Sequence, residues 1–453
     1  MSFRGPLRDV VIPDESLFDF LFADLDDHDA ERPALIDGDT GETMTYGQLV
    51  ATIRGVAAGI AARGLSGGDV IALYSPNNPA FAAVLHGILR AGCTVTTVDT
   101  LCTPADIAHQ LRDCGARLVF TVGALSSCAV QGAQAAGLFA ADVVLIDSVV
   151  DDRHVGLPGF IALACASGGD VPAVVADPGS HLAALSYASG TTGPARGVML
   201  THRNLVANVC QIEEMMRLDR HDRVPAVLPF SHGYGMTVLL NAALRRRATL
   251  ITRAGFELSA FLRTVSDFEC TYLFIAPSIA VALARNPLVD EYDLSSVHTV
   301  ACGSAPLPGA LARAVARRLD CRVRQSHGLP ETSPISHAIP AESDDIDLDS
   351  VGFTVPNMEC RLVDPQTGAD IDPPAHGISA PGELWCRGPN VMAGYLGAPE
   401  ATAEKLDADG FLRTGDIATV DHRGVVTIVA AHKNTRARNS TTRFIGTGIK
   451  ELS

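Results

Sequence analysis

Residues 67–98 read GGDVIALYSPNNPAFAAVLHGILRAGCTVTTV, and this stretch gives the clearest indication of the fold class. The apolar run 70–74 is typical of a buried strand, and the prolines and asparagines of 76–79 are typical of a turn. Residues 80–91 have the apolar spacing of an amphipathic helix, and the run 93–98 is a second strand candidate. Strand, turn, helix and strand in this order predict a βαβ unit of a mostly parallel sheet.

The same alternation continues along the chain on both sides of this unit. Apolar runs predict further strands at 116–122, 142–146, 223–228, 248–252, 272–275 and 297–301, and a helix over 307–319. Shorter strand-like runs separated by Pro, Gly and Asp turns lie at 358–363, 382–386 and 424–429. We therefore predict an α/β fold with two doubly wound, mostly parallel sheet subdomains and a small β-rich subdomain.

Changes in composition suggest where these units begin and end. We predict a first α/β subdomain over 1–171, a second over 172–340 and a β-rich subdomain over 341–429. The acidic and polar run at the start of the third segment is typical of a boundary. In residues 430–453 basic residues outnumber acidic ones and no apolar period is sustained, so we expect an atypical basic tail there.

Length and charge exclude several classes of protein. The chain has 453 residues and a formal net charge of −16, which speaks against a small module, a dedicated nucleic-acid binder or a polybasic membrane-surface protein. Its 11 cysteines form no C-x-x-C pair and no cluster with zinc spacing, so we expect reduced thiols. The N-terminus has charges and prolines where a secretory signal needs an apolar core, and we expect a cytoplasmic protein.

One stretch, residues 224–244, contains no Asp, Glu, Lys or Arg and is long enough to suggest a membrane span. It contains prolines, glycines and His232, which would make its middle a poor helix in lipid. We therefore expect a buried strand, loop and helix here, and no membrane span.

Residues 185–198 read LSYASGTTGPARGV and carry the strongest chemical signal. Glycines let backbone N–H groups approach a phosphate, hydroxyls add donors, and arginine adds positive charge. The P-loop pattern G-x-x-x-x-G-K-[ST] is absent. From the residues alone, a phosphate-binding loop and an ordinary polar hairpin loop both stay open.

The order of these residues resembles the phosphate loop of the adenylate-forming superfamily, Ser-Gly-Thr-Thr-Gly-x-Pro-Lys-Gly. This superfamily includes acyl-CoA synthetases, 4-coumarate–CoA ligases, luciferases and peptide-synthetase adenylation domains. Four further segments match in the family's order, namely PFSHGYG at 229–235, GSAPL at 303–307, QSHGLPETSP at 325–334 and LRTGD at 412–416. The resemblance covers about residues 18–429, and five ordered motifs make it specific.

The resemblance implies a two-step reaction. A carboxylate attacks the α-phosphate of ATP to give an acyl-adenylate and pyrophosphate, and a thiol, usually that of coenzyme A, then displaces AMP. Repulsion between a carboxylate and a polyphosphate requires donors, cations and Mg²⁺ in the site. The expected partners are therefore ATP, Mg²⁺, a small-molecule carboxylic acid, and coenzyme A or a carrier protein.

The resemblance also implies a role for each matched position. His232 and Glu331 would take part in catalysis, Glu331 as the Mg²⁺ ligand and His232 between the acyl pocket and the α-phosphate. The phosphate contacts would be Ser189, Gly190, Thr191, Thr192, Gly193 and Arg196; the adenine and ribose contacts Gly303, Ser304, Ala305, Gln325, Ser326, His327, Gly328 and Asp416; and the acyl-pocket residues His232, Tyr234 and Gly303. Taken alone, each also fits an ordinary role, such as a surface carboxylate or a core histidine.

Several positions depart from the family pattern. Ala195 and Arg196 replace Pro-Lys, and Arg presents a planar fork rather than a point charge. His327 replaces the usual tyrosine, leaving a smaller ring to stack on adenine. Pro330 replaces a threonine and has neither the hydroxyl nor the N–H of that residue, so we expect weakened catalysis.

After Val429 the family continues with an Asp hinge and a ribose-binding Arg, where this chain has Ala430 and Ala431. A lid of roughly a hundred residues is expected to follow in the family. Its pattern does not appear in 430–453, which suggests a truncation or a change of reading frame near residue 430. Reading the gene in its other frames past that point tests this, and finding no lid-like sequence there would count against it.

Three functions remain open from the sequence. The leading one is an ATP-dependent acid–thiol ligase for an apolar acid, of fatty-acid or 4-coumarate/cinnamate type, impaired by loss of the lid. The second is a catalytically dead pseudoenzyme that binds a nucleotide or acyl group. The third is an acyl-AMP ligase that loads a carrier protein.

Overall fold

The computed structural model describes residues 2–147, 155–166, 177–188 and 195–431. Its helices in chain order are α1 Leu17–Phe22, α2 Asp27–Ala30, α3 Tyr46–Ala62, α4 Pro79–Arg90, α5 Pro104–Cys114, α6 Ser126–Ala135, α7 Leu157–Ala166, α8 His202–Met216, α9 Ala242–Arg245, α10 Leu258–Asp267, α11 Pro277–Arg285, α12 Gly309–Leu319 and α13 Pro399–Lys405. A π-helical segment, Tyr234–Asn241, leads into α9. Short 3₁₀ turns are Gly123–Leu125, Ala140–Asp142, Pro287–Glu291 and Pro330–Thr332.

The strands are short and spread over the whole described chain. They are β1 Pro33–Asp37, β2 Thr43–Thr45, β3 Val70–Tyr74, β4 Thr94–Val98, β5 Ala116–Thr121, β6 Val143–Leu145, β7 Val155–Gly156, β8 Leu182–Ala188, β9 Arg196–Thr201, β10 Arg223–Ala226, β11 Thr249–Thr252, β12 Tyr272–Ile275, β13 Thr299–Cys302, β14 Arg322–Gly328, β15 Ile335–Ala338, β16 Phe353–Thr354, β17 Glu359–Val363, β18 Asp370–Ile371, β19 Gly382–Arg387, β20 Gly394–Tyr395, β21 Leu412–Val420 and β22 Val426–Ala431.

These strands form four sheets. The largest has the order β20-β9-β8-β4-β3-β5-β6-β7, and its strands from β8 to β7 pair in parallel. A second sheet, β12-β13-β14-β15-β16, is parallel up to β14 and antiparallel beyond it. The order β10-β11-β1-β2 is mixed, whereas β18-β17-β19-β21-β22 is antiparallel. The predicted α/β class with mostly parallel sheets and a β-rich part is confirmed.

The βαβ unit of residues 67–98 shows how local sequence fixes these elements. Helix α4 begins because the Asn78 side chain accepts the N–H of Phe81, and Pro79 takes the first helical position. All five residues of β4 are buried, as expected for a central strand covered on both faces. Strands β3 and β4 pair in parallel from Val70 and Thr94 onward.

The bounds of most predicted helices and strands agree with the structure to within about two residues. The 224–244 stretch does form a strand, a loop and a helical segment, and no helix in the described ranges is long and apolar enough to cross a bilayer. Strand β22 runs to Ala431 and so includes the first two residues of the predicted tail, and residues 432–453 lie outside the described part. The predicted subdomain boundaries stay predictions, although the largest sheet takes strands from all three segments.

Candidate active site

The candidate site lies where the parallel strands β12, β13 and β14 end. The carboxyl ends of neighbouring parallel strands meet at one edge of a sheet, which is where ligands bind in such folds. Cys302 at the end of β13 pairs with Gln325 of β14, so the next residues, Gly303 and Ser326, are neighbours. The predicted segments 303–307 and 325–334 are thus brought together by the strand register.

Two neighbouring side chains lie very close to the backbone of Gly303. A Cβ built on it would lie 2.6 Å from the Tyr234 ring and 3.0 Å from Ser326 Oγ. The hydroxyl oxygens of Tyr234 and Ser326 are buried without a hydrogen bond of good geometry in the described part of the chain. Burial also raises the pKa of the Tyr234 phenol, which stays neutral. Two buried polar atoms beside a glycine mark a place where a ligand can supply the missing partners.

The loop that carries His232 is fixed by a buried asparagine. Asn77 donates to the backbone oxygens of Ala226 and Leu228 at 2.9 and 2.8 Å, and accepts the N–H of Phe230 at 2.7 Å. The Thr97 hydroxyl at the end of β4 donates to the Ser231 oxygen at 2.6 Å. These bonds set the start of the π-helical segment that contains Tyr234.

His232 faces a carboxylate that the sequence reasoning did not single out. Its Nε2 lies 3.2 Å from Oδ2 of Asp99, the residue that follows β4. Burial opposes ionisation of Asp99, but the hydrogen bond and charge of His232, with the Leu101 N–H, outweigh it and lower the pKa of Asp99. The carboxylate of Asp99 therefore lies ionised beside the His232 ring.

His327 and Asp416 lie against each other. His327 Nε2 is 3.2 Å from Asp416 Oδ2, and the two side chains are only 6% and 5% exposed. In this arrangement the His327 ring offers little surface to a stacking base. Asp416 lies in the middle of β21, two residues beyond Thr414, whose hydroxyl accepts its N–H at 3.1 Å.

The remaining predicted nucleotide contacts lie in the loop after β13 and in β14 itself. Gln325 uses its side-chain amide to hold the chain, donating to the backbone oxygens of Leu307 at 2.8 Å and of Leu348. Ser304 has a left-handed backbone with φ +71°, and Ala305 beside it is partly exposed. Gly328 is required for packing, because a Cβ there would lie 1.8 Å from the Pro334 oxygen.

Glu331 and Arg196 meet at a tyrosine. The Tyr395 hydroxyl donates to Glu331 Oε1 at 2.6 Å, and Arg196 Cζ lies 5.9 Å from the centroid of the Tyr395 ring. Arg196 opens β9, directly after the predicted phosphate loop. Ser189, Gly190, Thr191, Thr192 and Gly193 of that loop lie outside the described residues.

Residues 22–396 match a known family, the AMP-binding enzymes. The chain belongs to this family. It is 35% identical over 436 residues to 4-coumarate–CoA ligase 5 of Oryza sativa subsp. japonica, covering 94% of this chain and 78% of that protein. It is also 35% identical over 430 residues to 4-coumarate–CoA ligase 1 of Solanum tuberosum, covering 93% and 76%.

Solved structures agree with this membership. The crystal structure of ATP-bound MatB from Rhodopseudomonas palustris matches with a TM-score of 0.79 at 27% identity, covering 92% of this chain and 78% of that one. The long-chain-fatty-acid–CoA ligase of Archaeoglobus fulgidus has a TM-score of 0.83 at 21% identity, over 94% and 86%, and shares the fold. The superfamily resemblance found in the sequence is confirmed.

In this AMP-binding enzyme, Pro330 begins a tight 3₁₀ turn that ends at Thr332. The Thr332 hydroxyl accepts the Leu329 N–H at 3.0 Å and also contacts the Pro334 oxygen. It is committed to the turn and does not replace the hydroxyl lost at Pro330. The residue before Glu331 therefore offers neither a hydroxyl nor an N–H to a ligand.

Ser333, which closes this turn, is strained, and Ser333→Gly is expected to stabilise the protein by about 1 kcal/mol. Its φ is +67°, a left-handed conformation that costs a side-chain-bearing residue more than glycine. Its hydroxyl is buried and has no hydrogen-bond partner within the described ranges. The urea midpoint of unfolding measures the change. Ser66→Gly, at an exposed position without positive φ, is the control and should not stabilise; an unchanged or lower midpoint for Ser333→Gly would contradict the strain.

The sequence reasoning missed three residues of the site, namely Asn77, Asp99 and Tyr395. Asn77 lies in a predicted turn. Asp99 lies directly after a predicted strand, and this position could have indicated that it belongs to the site, because ligands bind at the carboxyl ends of parallel strands. Tyr395 lies in a strand of two residues and gave no periodic signal. Only the folded arrangement shows that it joins Glu331 to the strand carrying Arg196.

Proposed function

We propose that the protein is an ATP-dependent acid–thiol ligase that converts an apolar carboxylic acid, through an acyl-adenylate, into its coenzyme A thioester. Membership of the AMP-binding enzyme family supports this, as do two relatives named 4-coumarate–CoA ligases. The observation that carries the proposal is the cluster of Glu331, Tyr395 and Arg196, which combines a carboxylate for a cation with a cation for a phosphate.

In the first step, a carboxylate oxygen of the acid attacks the α-phosphorus of ATP. A new P–O bond forms and the bond to pyrophosphate breaks, so that pyrophosphate leaves with both electrons of that bond. Arg196, together with Ser189 to Gly193, would bind the β- and γ-phosphates and offset the repulsion between the two anions. His232, oriented by Asp99, would lie between the acyl group and the α-phosphate.

The residues present fit a magnesium ion bound with ATP. Mg²⁺ is usually held by one or two carboxylates together with substrate phosphates and water. Glu331 supplies one carboxylate, of which Oε1 accepts from Tyr395, and among the described residues Oε2 has no hydrogen-bond partner. Among the described residues no group of three or more His, Cys, Asp or Glu forms a metal cage, which agrees with a shared site. Bound there, Mg²⁺ would neutralise charge that develops on the phosphates.

The nucleoside would lie at the ends of β13, β14 and β21. Asp416 would accept hydrogen bonds from the ribose hydroxyls, and His327 would fix its carboxylate. Ser304, Ala305, Gln325, Ser326 and Gly328 would border the adenine. The buried Ser326 hydroxyl supports a ligand here, because it makes no hydrogen bond of good geometry in the described part of the chain.

In the second step, the thiol of coenzyme A attacks the acyl carbonyl carbon. The C–S bond forms, the C–O bond to AMP breaks, and the thiol proton passes to water. The acyl group is proposed to lie beside Tyr234 and Gly303, where the Tyr234 ring packs edge-on against Phe274 at 6.3 Å between centroids. Aromatic walls favour an acid of fatty-acid or cinnamate type. A cytoplasmic location stays a prediction.

A nucleotide-binding protein without turnover is the second candidate. Pro330 offers no donor, and the Thr332 hydroxyl is already bound within the turn, so the cluster around Glu331 has lost a group that the family supplies. Loss of one such donor from a transition state typically costs 10²–10³-fold in rate.

The test is pyrophosphate release by the purified protein with Mg-ATP. Cinnamic acids and medium- to long-chain fatty acids are supplied singly, each with and without coenzyme A, and ATP without acid is the control. We expect acid-dependent release, with thioester formed when coenzyme A is present. Release with no thioester would favour transfer to a carrier protein, and ATP binding without any release would replace the ligase by the second candidate.

A further inference from the structure

Tyr395 is held at the meeting point of two segments that the proposed reaction needs. Its strand β20 pairs antiparallel with β9, Gly394 against Met199 and Tyr395 against Val198. The flanking N–H groups of Ala393 and Leu396 donate to the oxygens of Met199 and Gly197 at 2.9 and 2.8 Å. The backbone of Tyr395 is therefore fixed to the strand that begins with Arg196.

The same short segment is also bonded to Glu331. The Met392 N–H donates to the Glu331 backbone oxygen at 2.9 Å, and the Tyr395 hydroxyl donates to Glu331 Oε1 at 2.6 Å. The Tyr395 N–H is itself bound by the Thr402 hydroxyl at 2.9 Å, and the residue is 8% exposed. Residues 392–395 thus bind both the backbone and the carboxylate of Glu331.

The chemistry of this contact suits a charged acceptor. The Tyr395 phenol donates to a carboxylate oxygen at 2.6 Å, the short distance of a charge-assisted hydrogen bond. A phenol has a single O–H, so it occupies only one of the two carboxylate oxygens.

We propose that Tyr395 is a positioning residue that holds Glu331 with one oxygen presented to the magnesium ion of Mg-ATP. Its ring at the same time lies against the Arg196 guanidinium. This rests on the proposed function, because it assumes that Glu331 binds the metal. Residues that orient a metal ligand typically change metal affinity by 10- to 100-fold when they are altered.

Tyr395→Phe removes the hydroxyl and keeps the ring against Arg196. The experiment titrates Mn²⁺, as a paramagnetic substitute for Mg²⁺, into protein mixed with an equimolar amount of ATP and into the same ATP without protein. Free Mn²⁺ is measured by electron paramagnetic resonance, and the difference between the two titrations gives the Mn²⁺ held by the protein. We expect Mn²⁺ affinity about tenfold lower than in the wild type. Tyr46→Phe is the matched control, since it removes another buried hydroxyl, bonded at 2.7 Å to the Ala248 oxygen, and it should leave the Mn²⁺ affinity unchanged.

A second variant separates positioning from general damage. If Tyr395 acts through Glu331, the double variant with Glu331→Gln binds Mn²⁺ no more weakly than Glu331→Gln alone. Additive losses would overturn the proposal, as would an unchanged Mn²⁺ affinity in Tyr395→Phe. If wild-type protein shows no ATP-dependent Mn²⁺ binding, the metal role of Glu331 and this proposal fail together. If it does bind and only the variant is unaffected, only the role of Tyr395 fails.

Discussion

Glu331→Gln is expected to lower acid-dependent pyrophosphate release by about 10²–10³-fold. The substitution removes the negative charge but keeps the size of the side chain, and its carbonyl oxygen can still accept the Tyr395 hydrogen bond. The fold around the turn should therefore survive while the ligand for Mg²⁺ is lost. Steady-state kcat/KM for pyrophosphate release, with the acid saturating and Mg-ATP varied, measures the loss.

Glu342→Gln is the matched control for this change. Glu342 is exposed and pairs with Arg217. It lies beyond the end of β15 and does not contact the candidate site. Its kcat/KM should stay within about twofold of the wild type, as for other surface substitutions with effects near 0.5 kcal/mol. A Glu331→Gln protein with wild-type kcat/KM would remove Glu331 from the mechanism.

The helices and strands could be predicted from the sequence because the patterns that indicate them lie within short segments of the chain. The run from Val70 to Tyr74 is a strand with the predicted bounds, since a short apolar run between turn signals is typical of a buried strand. Helix α4 begins one residue before its predicted start because Pro79 suits the first helical position. Pairing between segments such as β1 and β11 carries no such signal and had to be observed.

The candidate site was predictable as a set of residues but not as a set of contacts. The motifs identified Glu331, His327 and Asp416, yet nothing in their spacing says that His327 and Asp416 touch each other. Tyr395 lies 64 residues from Glu331, and the two are brought together by the pairing of β20 with β9 and by the bond from the Met392 N–H to the Glu331 backbone oxygen. The amide of Gln325, expected at adenine, holds backbone oxygens of two loops, and its contact with adenine stays a prediction.

The second large effect is expected for Asp416→Ala, which should lower the free energy of unfolding by about 2–3 kcal/mol and weaken ATP binding about 10- to 100-fold. The first loss arises because the buried His327 ring loses its carboxylate partner. The second arises because charged hydrogen bonds to the ribose are each worth about 1.5–3 kcal/mol. Urea unfolding and equilibrium titration with ATP measure the two losses separately.

A control variant at a second histidine–aspartate pair, away from the site, separates the loss of stability from the loss of ATP affinity. Asp222 Oδ1 lies 2.9 Å from His298 Nε2 and also accepts from Thr271, so Asp222→Ala likewise removes a buried carboxylate from a histidine, here one whose side chain is 56% exposed, without touching a nucleotide-binding segment. It should lower stability and leave ATP affinity unchanged. If Asp416→Ala behaved in the same way, Asp416 would be a structural partner of His327 and the ribose would be bound elsewhere. If it lowers ATP affinity beyond the control, the Asp416 carboxylate both contacts His327 and binds the nucleotide.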